Sequence, residues 1–242
     1  MTYKPIALAA AALAAGLAAA PASADLVPLT PVQLTGQGVG AKLTTVFLQG
    51  QGAATTESGC VMLVGGVATP FGDAGTGASQ FHSFTFADLA ITNPSQLALI
   101  VDLAEPGSES PPSVTTAASP LATNAAFANT ITLNVYSAAG VFLERHSAAA
   151  SLTLNQVAAG VGGSGLVFGL NAAEQATLAA TMLANPGNEI FTVGATFANA
   201  QGGPETISAA PLVAVPEPET YALMIAGIGA LGFVARRRRS RS

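Results

Sequence analysis

Thr130-Ile131-Thr132-Leu133-Asn134-Val135-Tyr136 alternates polar and apolar side chains residue by residue. That is the period of a strand with one face in a core and the other in water. Ala138-Ala139-Gly140 reads as a turn, and Val141-Phe142-Leu143 resumes the apolar pattern, which predicts a hairpin. Working outward, short apolar or alternating runs recur between Gly, Pro, Asn and Ser clusters. They predict strands over 42–49, 60–67, 80–86, 97–103, 130–137, 141–146, 151–156, 166–170 and 190–197. One segment reads as a helix, 171–184. Asn171 suits its N-cap and Glu174 follows three residues on, as in a capping box. Leu178, Met182 and Leu183 recur at helical spacing, and Asn185-Pro186-Gly187 stops it. Many short strands with one helix predict a mainly β fold, a β-sandwich of jelly-roll-like or immunoglobulin-like kind. The Pro/Ser/Thr-rich stretch 105–120 reads as a long surface loop or as a linker between two half-domains.

The chain has 242 residues, enough for one or two domains. Its mean hydropathy is inflated by apolar ends. The body, about 25–200, holds ten of the eleven Phe, one Tyr (Tyr136) and no Trp. Eleven acids between Asp25 and Glu205 face only Lys42 and Arg145, a net of about −9 for this part of the chain. Such a body repels nucleic acid, so no nucleic-acid partner is expected.

Both ends read as signals. Lys4, an apolar run over 6–20, Pro21 and Ala22-Ser23-Ala24 form a signal peptide over 1–24. Ala22 and Ala24 fit the A-x-A pattern of signal peptidase, which makes Asp25 the mature N-terminus. The rival reading is a retained anchor helix. Residues 201–215 read as a spacer. Beyond it, Pro216-Glu217-Pro218 is followed by an uncharged apolar run from Tyr221 to Ala235, then Arg236, Arg237, Arg238, Arg239 and Arg241. The apolar run reads as a transmembrane helix of about 22 Å, short for a bilayer but extended by snorkelling arginines. Arginines of the basic tail, 236–241, belong on the cytoplasmic side, so the body lies outside. Two prolines keep the motif extended, as a processing enzyme's cleft requires.

Pro216-Glu217-Pro218, a glycine-bearing apolar span and a terminal arginine cluster together resemble the PEP-CTERM sorting signal of Gram-negative bacteria, over 216–242. The resemblance implies recognition by an exosortase, a membrane-embedded enzyme similar to cysteine transpeptidases. It also implies removal of the tail after transient membrane anchoring, and delivery to the cell surface or extracellular matrix. Proteins with this signal accompany exopolysaccharide and biofilm genes, so exopolysaccharide is the partner the resemblance implies.

The body offers little chemistry. Gly160-Val161-Gly162-Gly163-Ser164-Gly165 matches G-x-G-x-x-G, but a strand-like run follows it instead of a helix. Cys60 has no neighbouring base and reads as a small buried hydrophobe. His82 and His146 sit in separate strand-like runs, so no metal site, cofactor or catalytic residue is expected. Asp102, Glu105 and Glu109 read as solvated charges around a loop. The expectation is a non-enzymatic surface or matrix protein. The alternative is an exported module that binds glycan or calcium.

Overall fold

The computed structural model describes residues 25–35, 42–50, 55–104, 113–117, 130–156, 164–185, 188–201 and 203–212. They form strands β1 (Leu26–Thr35), β2 (Leu43–Leu48), β3 (Thr56–Val64), β4 (Val67–Gly72), β5 (Leu97–Leu103), β6 (Ser113–Thr116), β7 (Thr132–Tyr136), β8 (Phe142–Ser147), β9 (Thr153–Asn155), β10 (Ser164–Leu170), β11 (Ile190–Ala198) and β12 (Glu205–Pro211). One helix, α1 (Ala172–Ala184), joins β10 to β11. The first sheet runs β1-β10-β5-β12-β2 and the second β4-β3-β11-β6-β9, with β7 and then β8 also laid beside β11. Neighbouring strands within both sheets are antiparallel.

The two sheets share one core. Leu99, Val101, Phe168 and Ile207 of the first meet Val61, Leu133, Phe191, Val193 and Phe197 of the second in a single buried cluster. Leu133 and Val135 enter the core as the alternation over 130–137 predicts, but the other face is not in water: Thr132, Asn134 and Tyr136 are buried as well, and Asn134 Oδ1 accepts from Arg145 Nε at 2.9 Å. The helix forms where its cap predicts. Asn171 Oδ1 accepts the Glu174 N–H at 3.0 Å, and Leu178 seals one side of the core. The expected capping box is completed on one side only, because the Glu174 carboxylate is engaged by His146.

Further expectations are corrected. The strand predicted over 80–86 is absent: Phe81 and Phe84 make single bridges, to Val46 of β2 and Phe191 of β11. The two bridges go to different sheets, so the segment steps from one sheet to the other. Phe84 and Phe86 then stack on Phe191 with ring centroids 5.3 and 4.8 Å apart. The spacer expected over 201–215 contains β12, a central strand paired with both β5 and β2. The long loop expected over 105–120 contains β6, which pairs with β11 and β9. The run predicted over 60–67 is a hairpin, turned at Gly65 and Gly66 with φ of +59° and +82°. Strand β1 was not expected; its Pro28 is tolerated because β1 edges its sheet, and the register shifts between Pro28 and Gln33.

The signal peptide and the transmembrane span lie outside the described residues. Among the described residues, no helix is long and apolar enough to cross a membrane.

Close approach of chain segments explains Gly59. A Cβ there would lie 2.6 Å from the Ala74 backbone nitrogen and 2.7 Å from Leu48 Cδ2. The G59A variant is expected to lose about 1–3 kcal/mol of stability, read as a lower denaturant midpoint with an unchanged slope.

Candidate functional site

The densest polar chemistry in the described residues lies at a seam between the sheets. There β1 of the first sheet begins beside β8 of the second, and the start of α1 packs across both. Leu26 bridges Ala148, and the Asp25 N–H donates to the Ser147 carbonyl at 2.9 Å. The Asn171 N–H donates to the Asp25 carbonyl at 3.0 Å, which ties the helix N-cap to the same point.

His146 sits in this seam with 1 % of its side chain exposed, so each of its ring nitrogens is answered by protein. Nδ1 lies 3.0 Å from Glu174 Oε2, and Nε2 lies 3.3 Å from Glu144 Oε1. Thr181 Oγ1 donates to Glu144 Oε2 at 2.8 Å and fixes that carboxylate. Asp25 supplies a third carboxylate, and its Oδ2 accepts the Ser147 N–H at 3.2 Å. One ligand-capable atom from each of Asp25, His146 and Glu174 lies within 4.8 Å of the other two. Sequence reasoning missed this grouping, because 121 positions separate Asp25 from His146 and no spacing motif links them.

The other residues singled out by the sequence stay apart. His82 is held by the carbonyl of Thr44 in β2 at 2.8 Å, at the edge of the first sheet opposite β1. Asp102 is no loop charge: it lies in β5, is 3 % exposed and pairs with Lys42 Nζ at 2.7 Å. Together they border a surface cleft of about 430 Å³ that also reaches Phe47, Gln80 and Thr206. Glu105 and Glu109 lie outside the described residues. Ser164 and Gly165, the end of the G-x-G-x-x-G match, open strand β10 rather than a helix, and residues 160–163 lie outside the described residues.

Cys60 is buried on β3, and burial pushes its thiol from 9.0 up to about 12, against a smaller lowering pull from Arg145. Burial also raises the Tyr136 hydroxyl pKa and lowers that of Arg145, whose guanidinium lies 5.5 Å from the Phe142 ring centroid. These groups pack the outer face of the second sheet. A thiol held protonated to such high pH is a poor nucleophile.

Ala22, Ala24, Pro216, Glu217, Pro218, the Tyr221–Ala235 span and Arg236–Arg239 lie outside the described residues, and Asp25 is the first residue within them. Residues 214–239 match the family description PEP-CTERM protein-sorting motif. The chain thus carries a sorting motif of the exosortase-substrate class, which implies export and delivery to the cell surface or beyond. The match begins three residues after Pro211, the last residue of β12. No curated protein and no solved structure matched the chain.

Cys60 provides a check on the packing of the second sheet. The folded chain is expected to resist iodoacetamide at pH 8 and to react fully in guanidinium, as followed by mass spectrometry. The folded thiol keeps its proton up to about 12, whereas an unfolded one releases it near 9.0. This contribution to stability is therefore complete below pH 9 and declines as pH rises further.

Proposed function

We propose that this chain is a non-enzymatic cell-surface or extracellular-matrix protein, cut and sorted by an exosortase-type enzyme, with a structural or interaction role in an exopolysaccharide or biofilm matrix. The observation that carries this reading is the sorting motif at 214–239, set directly behind the last core strand. In this reading signal peptidase removes 1–24 and the Tyr221–Ala235 span halts translocation. Arg236–Arg239 remain in the cytoplasm, and Pro216-Glu217-Pro218 is presented for cutting. The two sheets with their common core form the β-sandwich that is carried out. Its acidic body keeps exported copies soluble and apart from anionic membrane surfaces.

A second reading, a glycan-binding module, has one observation in its favour: the cleft beside the Lys42–Asp102 pair, with Thr44, Gln80 and Thr206 as polar lining and Phe47 as an aromatic floor. A glycan array with the wild-type and K42A chains separates the readings. Binding that is lost in K42A supports the module.

Intact-mass analysis of the chain recovered from outside the cell tests the first reading. The expected product begins at Asp25 and lacks Arg236–Arg239. The P216A/P218A double variant is expected to stay membrane-bound at full tail length. A recovered chain that still carries the arginines overturns the processing step.

A further inference from the structure

The seam cluster has the composition of a metal site, with one ligand-capable atom from each of Asp25, His146 and Glu174 within 4.8 Å of the other two. Three carboxylates, from Asp25, Glu144 and Glu174, converge on one buried imidazole. The nearest cation in sequence, Arg145, is turned to the other face of β8, toward Asn134 and the Phe142 ring. In the uncut chain the seam therefore gathers negative charge about an aromatic nitrogen donor, which favours a bound cation, and cleavage before Asp25 would add its α-amino group beside the Ser147 carbonyl.

The roles of the groups divide by distance. Glu144, fixed by Thr181, sits 3.3 Å from Nε2 of His146, and Glu174 Oε2 lies 3.0 Å from Nδ1. A metal ion bound through Nδ1 requires the ring proton on Nε2, toward Glu144. A carboxylate on the far nitrogen of a ligating histidine is the arrangement that orients the ring and raises its basicity. The 3.0 Å gap between Nδ1 and Glu174 Oε2 is close to the roughly 3.3 Å edge set by metal–ligand bonds of about 2.0 Å in a tetrahedron.

We propose that Asp25, His146 and Glu174 bind one divalent transition-metal ion of the Zn²⁺ class, with Glu144 as the positioning carboxylate. An imidazole donor with so few oxygens suits a borderline ion, whereas Ca²⁺ gathers six to eight oxygens. Three protein ligands leave a fourth position to water. The three ligands come from the start of β1, from β8 and from the first turn of α1, so the ion pins both sheets and the helix at one point.

The test is a calorimetric titration of ZnCl₂ into the full-length chain. The chain is held in detergent, carries no polyhistidine tag and is stripped with EDTA. Co²⁺ is added in parallel for its visible absorption. One ion per chain is expected, with excess Ca²⁺ failing to compete and Co²⁺ giving the intense bands of a low-coordinate site. H146A is expected to abolish binding, and E144Q to weaken it by roughly 10–100-fold. E174Q keeps the backbone cap at Asn171, so it removes a ligand without removing the helix start; it is expected to bind at least roughly tenfold more weakly, and it decides the matter if H146A fails to fold. An absence of Zn²⁺ binding in the wild type, or unchanged binding in E174Q and E144Q, overturns the proposal and leaves the seam a proton-bridged ion pair.

Discussion

The fold depends on the pairing of β12 between β5 and β2. Seven residues of β12 align with β5, from Glu205 opposite Leu103 to Pro211 opposite Leu97, while its other edge carries β2. Remove β12 and β2 loses its place in the first sheet, along with the Val46 and Leu48 side chains it brings to the core. Ile207 and Ala209 would leave with it. Since β12 is the last described strand, the first sheet closes only after nearly the whole body has been delivered. Long-range pairing of this kind is slow to form, because the loop entropy is spent before the contacts are gained.

The second sheet is organised about β11, which touches β3, β6 and β7 and receives Phe84 from the crossing segment. Phe191 at its start holds two stacked rings. The two sheets thus meet through side chains in the core, through the 81–84 crossing, through the 73–75 segment that follows β4 and bridges β2 at Leu48, and through the Asp25–Ser147 seam. The first is apolar and non-directional. The others are hydrogen-bonded and set how the sheets sit on each other.

How much of this was legible follows from the physics of each segment. Leu97–Leu103 is buried at every position, and its apolar run from Leu97 to Val101 is easily read as a strand, although Asp102 then interrupts it. The helix was legible because a cap and a Pro-Gly stop are local signals. β12 was not: Glu205-Thr206-Ile207-Ser208-Ala209-Ala210-Pro211 has one large apolar residue, and its small side chains are buried because strands flank it on both sides. Phe81, Phe84 and Phe86 promised a strand by hydrophobicity alone, yet their partners lie on different sheets. Asp102 looked solvent-facing because its counter-charge, Lys42, is sixty positions away. The seam cluster was illegible for the same reason. The sorting tail stood out in the sequence because its three parts are contiguous and need no fold to be recognised.

Both ends of the described body emerge at one pole of the first sheet. Leu26 pairs with Leu170 and Pro211 with Leu97, and β10 and β5 align in register between them. A cut at the Pro-Glu-Pro sequence leaves about five residues past Pro211, a leash of at most ~18 Å at full stretch. Any attachment made through that new end therefore holds the sandwich close and always by the same pole. Under the processing proposed above, the seam would lie on the side of the cut end, and the opposite pole, where Leu48 and Leu103 end their strands and Glu205 begins its own, would face away from it.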